Sequence, residues 1–177
     1  MNFCRPVRKV TFNPYDTPGK PLPFMVLGPD SPLSYRKAAR LLAEDFANGA
    51  HFSPAPHEAC EADHYGGQYR RDRVLAFAKP VDALRIRFFG AAGVRWQQFD
   101  DIPEPGWFLT WAWFYPAEQR KGHLTNAWPH ILRLFPGVMP LRPITEAMLA
   151  FLKKAKFDNP LFLRYIAMRE RSSPPSS

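Results

Sequence analysis

Apolar residues recur at two different periods along the chain, three to four residues in some segments and two residues in others. The helical period appears after Ser31, which can cap a helix that has Pro32 at its first position and ends at Asn48-Gly49. The apolar stripe of this segment consists of Ala38, Leu41, Leu42 and Phe46. The pattern predicts a helix that packs this stripe against the rest of the protein.

The strand-like segments lie in the middle of the chain. Residues 73–78, 84–89 and 94–96 are typical of strands, with a turn at 80–83 and a bend from Gly90 to Gly93 between them. Because the connections are so short, we expect these strands to be antiparallel neighbours in one sheet.

The segment 107–114 is apolar on both of its faces. Alternation places Trp107, Leu109, Trp111 and Trp113 on one face, and Phe108, Thr110, Ala112 and Phe114 on the other. A strand with two apolar faces is predicted to be central in the sheet and covered on both sides.

A polar loop, residues 117–122, leads from this strand into the most regular helical pattern of the chain. The apolar positions of that pattern are Leu124, Ala127, Trp128, Ile131, Leu132 and Phe135. Pro129 lies inside the pattern and is expected to kink the helix, which ends at Pro136-Gly137.

The remaining segments complete one domain. A short strand is predicted at 138–141, then a helix capped by Thr145, then a last strand at 162–168. We expect a single domain over residues 1–171, in which 1–33 form a proline-rich arm, and a disordered tail at 172–177.

Positive charge is concentrated near the C-terminus. The net charge of the 177 residues is +8, and residues 119–171 hold 10 Lys and Arg against three Asp and Glu, which accounts for +7 of it. The basic segment favours an acidic partner, either nucleic acid or a phosphate-bearing cofactor, or is simply a solvated face.

The segment 51–64 contains ligand types that could bind zinc, namely His51, His57, Cys60 and His64. Their spacing matches no zinc pattern, so we expect no metal and a loop that contacts substrate instead. Cys4 and Cys60 are expected to be free thiols. The chain shows no apolar run long enough to span a membrane and no signal peptide, so we expect a cytoplasmic protein.

The segment from Trp107 to Phe135 has the order strand, polar loop, helix. That order aims unpaired backbone N–H groups, and the positive end of the helix dipole, at an anion. Gly122 would allow a phosphate to approach the backbone, while Arg120 and Lys121 add positive charge. The alternative is a basic turn without a ligand.

The loop also carries a family resemblance. Gln119-Arg120-Lys121-Gly122-His123-Leu124 resembles the acyl-CoA signature of the GNAT (Gcn5-related) N-acetyltransferases, which is Arg or Gln, two residues, Gly, one residue, then Gly or Ala. Leu124 stands where the signature has Gly or Ala. The later segment PITEAMLAFLKKAKF resembles the family's fourth-helix segment, with Phe157 in place and Lys156 where the family has glycine.

The resemblance implies an α+β fold with a central mixed, mostly antiparallel, twisted sheet flanked by helices. It implies a single acyltransferase-like domain and an enzyme that transfers an acetyl group from acetyl-CoA to an amine-bearing acceptor in a ternary complex. The cofactor-binding residues that it implies are Trp113, Phe114, Gln119, Arg120, Lys121, Gly122, His123, Leu124 and Thr145.

The resemblance leaves the catalytic residues unassigned. Leu152 stands where the family often has a tyrosine acid, and it cannot donate a proton. Possible bases are Asp100, Asp101 and Glu104, and Tyr165 could act as an acid.

Two alternatives to an acetyltransferase follow from the sequence. The missing tyrosine favours a GNAT-fold protein that binds acyl-CoA without turnover. The basic C-terminal segment, together with tryptophans that could stack on bases, favours a nucleic-acid-binding protein.

Overall fold

The protein is described here by a computed structural model that covers residues 7–8, 22–50, 72–98, 104–141, 145–160, 162–164 and 167. Several predictions lie outside these residues. They concern most of the N-terminal arm, the tail at 172–177, the His/Cys segment 51–64, both cysteines, Asp100, Asp101 and Tyr165.

The described strands are β1 (Val7–Arg8), β2 (Met25–Leu27), β3 (Arg73–Pro80), β4 (Arg85–Gln97), β5 (Gly106–Phe114) and β6 (Met139–Pro140). The described helices are α1 (Leu33–Ala50), α2 (His123–Leu134) and α3 (Glu146–Lys154), and a 3-10 turn spans Pro116–Glu118. Residues 160, 162–164 and 167 are also helical.

The strands form one sheet in the order β2-β3-β4-β5-β6, and β1 pairs with the start of β4. Neighbouring strands are antiparallel except for β5 and β6, which are parallel. The prediction of an α+β fold with a mixed, mostly antiparallel sheet flanked by helices is therefore confirmed. Within the described residues, no helix is long and apolar enough to cross a membrane.

The core is continuous from α1 through the sheet to α2. Tyr35 of α1 packs edge-on against Phe88 of β4, with ring centroids 5.4 Å apart, and both side chains are fully buried. The predicted helix is confirmed and begins at Leu33, while the Ser31 hydroxyl accepts a hydrogen bond from Gly28 N at 2.9 Å. The helix also continues through Gly49 to Ala50 instead of ending at Asn48-Gly49.

The predicted bend from Gly90 to Gly93 is wrong, because β4 runs through it as one strand. Both glycines lie beneath aromatic rings of β5. A Cβ at Gly90 would be 2.1 Å from Phe114 Cδ1, and one at Gly93 would be 2.2 Å from Trp111 Nε1. The glycines therefore permit close packing within the sheet and do not turn the chain.

The predicted last strand at 162–168 is also wrong, because the described residues of that segment are helical. Asn159 begins this helix: its side-chain Oδ1 accepts from Phe162 N at 3.3 Å, and its carbonyl accepts from Leu163 N at 3.0 Å. Pro160 follows at a position that suits the first turn of a helix. The Asn-Pro pair therefore outweighs the β-forming character of the apolar residues after it.

Candidate functional site

A β-bulge at Thr110 divides β5 into two halves with opposite orientation. Leu109 pairs with Val94 and Trp111 pairs with Gly93, so two successive residues of β4 face three residues of β5. The extra residue reverses the alternation of side chains along the strand.

The ring contacts agree with this reversal. Trp107 packs against Phe135, which follows α2, at 4.9 Å, whereas Trp111 stacks on Phe46 of α1 at 6.0 Å. The prediction that Trp107, Leu109, Trp111 and Trp113 share one face is therefore wrong. The bulge turns Trp111 and Trp113 toward α1.

The second half of β5 extends beyond its parallel partner. Within the described residues, which omit 142–144, β6 lies beside β5 only at Phe108 and Leu109, and Leu141 N donates to Leu109 O at 2.8 Å. Residues 110–114 are called the open half of β5. Farther along, Tyr115 N donates to Phe89 O of β4 at 2.9 Å. Since successive N–H groups of a strand point to opposite sides, the N–H groups of Ala112 and Phe114 point away from β4.

The side chain of Gln119 hydrogen-bonds to the last residue of β5. Its Nε2 donates to the carbonyl oxygen of Phe114 at 2.9 Å. The predicted site residues Phe114 and Gln119 are thus brought together, and the carbonyl of Phe114 is satisfied from within the protein.

The loop enters α2 through two residues with left-handed backbone. Arg120 has φ 60° and Gly122, the N-cap of α2, has φ 78°. The first helical bond runs from Asn126 N to Gly122 O at 2.9 Å, which leaves the N–H groups of residues 123–125 outside the helical hydrogen-bond ladder. A Cβ at Gly122 would meet nothing within 4 Å, so the positive φ, not crowding, favours glycine here.

The carboxylate of Glu118 contacts three basic side chains around the loop. Its Oε1 accepts from Lys79 Nζ of β3 at 2.7 Å, and its Oε2 lies 3.1 Å from His123 Nε2 and 3.4 Å from Lys121 Nζ. The ammonium of Lys79, with smaller contributions from His123 and Lys121, lowers the pKa of Glu118 from its usual 4.5 to about 2. Glu118 is therefore ionised at neutral pH.

Aromatic rings hold His123 in place beside this carboxylate. The imidazole lies 4.7 Å from the Phe89 ring and 5.6 Å from the Phe114 ring, to which it is nearly parallel. Lys79 Nζ lies 5.6 Å above Phe89. His123 and Leu124 are half-buried, whereas Arg120 and Lys121 are exposed on the loop.

Trp113 presents an indole donor without an acceptor. Its Nε1 is buried, and no hydrogen-bond acceptor from the described residues reaches it. The ring lies 6.4 Å from Phe46 of α1. A buried N–H that lacks a partner is uncommon in proteins, and the described residues include a second indole of this kind, Trp128 Nε1 of α2.

Thr145 performs a structural task at the start of α3. Its Oγ1 accepts from Met148 N at 3.2 Å, as expected for an N-cap, so the predicted cap is confirmed. Leu152 of the same helix is fully buried in the core, and Glu104 is exposed.

The sequence interpretation missed Lys79 and Glu118. The two residues lie 39 positions apart, and each resembles an ordinary surface charge in its own segment. Only the antiparallel pairing of β3 with β4, and of β4 with β5, brings the end of β3 to the loop. Among the described side chains, no three His, Cys, Asp or Glu are grouped so that they could hold a metal ion.

Comparison with known proteins finds structural likenesses among solved structures. No family model and no curated protein matches the chain. Among solved structures, a tetramutant of the BH1408 protein from Bacillus halodurans is similar to it at 12% sequence identity and a TM-score of 0.36, over 81% of this chain and 88% of that chain. An overlap this loose supports neither a fold family nor an activity.

Proposed function

We propose that this protein is a GNAT-type N-acetyltransferase that binds acetyl-CoA between the open half of β5 and the N-terminus of α2. The observation that supports the proposal is the course of β5, which among the described residues pairs with β6 only as far as Leu109 and continues through a loop with two left-handed residues into a helix. The strand edge and the helix terminus thus present their N–H groups along one continuous segment.

Each part of the cofactor has a matching part of the site. The pyrophosphate would accept from the N–H groups of residues 120–124, where the helix dipole also favours negative charge. The pantetheine arm, which is an extended chain with two amides, would lie along Ala112 and Phe114, whose N–H groups point away from β4. Arg120 and Lys121 would add positive charge near the phosphates.

The reaction would need little further chemistry from the protein. An N–H group of the β5 edge would polarise the thioester carbonyl and stabilise the oxyanion that forms when a neutral amine attacks. The carbon–sulfur bond then breaks, and the CoA thiolate takes up the proton that the amine loses. The acceptor would therefore be an amine that reaches the site without its proton.

Leu152 favours a second candidate, a protein of the same fold that binds acyl-CoA without turnover. Its side chain is fully buried at the position where the resemblance implies an acid. All five tryptophans are buried or only partly exposed, which gives less support to stacking on the bases of a nucleic acid than to the binding of acyl-CoA.

Calorimetric titration with acetyl-CoA tests the binding proposal, and two glycines provide a matched pair of variants. Gly122 and Gly137 stand at opposite ends of α2 with φ 78° and 71°, and neither position is crowded. Replacing either glycine by Ala should lower the free energy of unfolding by about 1 kcal/mol. We expect only Gly122→Ala to weaken acetyl-CoA binding, since only that residue belongs to the loop.

The absence of any heat at about 1 mM acetyl-CoA would contradict the proposal. An equal loss of affinity in both glycine variants would contradict the assigned location. Release of free thiol in the presence of a panel of amines would then separate the acetyltransferase from the non-catalytic binder.

A further inference from the structure

Glu118 connects three elements that meet at the proposed site. It ends the 3-10 turn that follows β5, and its carboxylate contacts Lys79 of β3 and His123 of α2. The Glu118 side chain is only 14% exposed, compared with 52% for Lys79 and 54% for Lys121. Most of the Glu118 side chain is therefore covered by its neighbours.

A carboxylate is an unexpected group beside an anion site. Charge alone predicts that Glu118 repels a phosphate and that its removal strengthens binding. The geometry predicts the opposite. Arg120 takes its left-handed backbone two residues after Glu118, and the His123 ring is held against Phe114 while its Nε2 faces the carboxylate. Both residues flank Gly122, whose neighbouring N–H groups must converge on the ligand.

We propose that Glu118 is a positioning residue, which clamps the loop to Lys79 of β3 and so holds the N–H groups of residues 120–124 in the orientation that binds acyl-CoA. This inference rests on the proposed function. Lys79 becomes a member of the site through the same contact, although it lies outside the loop and outside α2. The benefit of a fixed loop outweighs the repulsion of one carboxylate, because that carboxylate is shared by three basic groups.

Three variants test this role by calorimetry with acetyl-CoA. Glu118→Gln keeps the shape of the side chain and removes its charge, and Lys79→Met removes the partner on β3. The third variant combines both changes. We expect Glu118→Gln to weaken binding about tenfold, from the loss of charge-assisted hydrogen bonds. The same change should have a smaller effect when Lys79 is already Met, because both residues act through one contact.

Glu44→Gln serves as the control. Glu44 pairs with Arg40 at 2.7 Å on the exposed side of α1, so this variant breaks an ion pair of the same length outside the proposed site. We expect its acetyl-CoA affinity to equal that of the unaltered protein. The Lys79 ammonium is half-exposed, so Lys79→Met is expected to fold even if Glu118→Gln does not.

The ring nitrogens of His123 report directly on its contact with Glu118. A carboxylate only accepts, so Glu118 fixes the neutral imidazole as the tautomer with hydrogen on Nε2. In ¹⁵N spectra of the neutral ring, we expect this tautomer in the unaltered protein and in Glu44→Gln, and a mixture of tautomers in Glu118→Gln.

The outcomes separate this inference from the proposed function. If the unaltered protein binds no acetyl-CoA, the proposed function fails whatever the tautomer of His123. If the unaltered protein binds and Glu118→Gln binds equally or more tightly, the proposed function stands and the positioning role is overturned. A His123 ring without hydrogen on Nε2 in the unaltered protein also overturns it, since the carboxylate of Glu118 can only accept.

Discussion

Glu118 is the residue through which we propose that the loop is positioned. Three basic side chains from three segments approach its carboxylate. We therefore expect the charge of Glu118 to affect both the stability of the protein and the shape of the proposed site. Its pKa of about 2 lies well below the usual 4.5, because Lys79, His123 and Lys121 favour the ionised form.

The lowered pKa predicts a pH-dependent contribution to stability. A carboxylate with a lower pKa in the folded state stabilises that state above its unfolded pKa, and loses the effect as the pH falls toward the folded value. The free energy of unfolding should therefore be higher for the unaltered protein than for Glu118→Gln above pH 4.5, and the difference should shrink as the pH falls toward 2. Urea unfolding at several pH values between 2 and 4.5 measures this difference in the free energy of unfolding. A difference that stays constant would contradict the lowered pKa of Glu118.

Single residues were predictable from the sequence where a local rule applies. Gly122 was expected at the start of a helix, and Thr145 was expected as a cap, since both depend on a few neighbouring positions. The contact between Lys79 and Glu118 depends on the pairing of three strands. No local pattern indicates which of many surface charges will meet in that way.

The elements of the site depend on irregular features of the strands. The bulge at Thr110 turns Trp111 and Trp113 toward α1, and the glycines of β4 make room for the rings of Trp111 and Phe114. Alternation predicted the strand correctly but placed its far half on the wrong face, because a one-residue insertion leaves no mark in the apolar pattern. Gly90 and Gly93 were interpreted as a bend for a related reason, since close packing and turning both favour glycine.

Thr145 is expected to stabilise helix α3 and not to bind the cofactor. Its hydroxyl caps α3, so Thr145→Ala should lower the free energy of unfolding by about 1 kcal/mol, while Thr145→Ser should keep most of the stability. Because the hydroxyl serves the helix, we expect neither variant to change acetyl-CoA affinity. Thermal unfolding and calorimetry measure the two effects, and a loss of affinity in Thr145→Ala alone would assign the hydroxyl to the cofactor instead.

The fold class of the whole molecule was predictable because strand and helix periods are strong in the described segments. The apolar alternation of the central strands indicated the sheet, and the regular spacing after Gly122 indicated α2, which continues past Pro129 to Leu134. The helix after Asn159 was missed because its apolar residues also suit a strand. An apolar run this short does not distinguish the two structures by period alone, and the cap decides between them.

The central claim concerns the whole molecule, because it requires the edge of β5, the loop and the start of α2 to bind one ligand together. Backbone ¹H–¹⁵N spectra recorded during a titration with acetyl-CoA test it most directly. We expect the amide signals of residues 120–124, together with those of Ala112 and Phe114, to shift as one set with one dissociation constant. Shifts confined to other parts of the molecule, or no shifts at saturating acetyl-CoA, would contradict the claim.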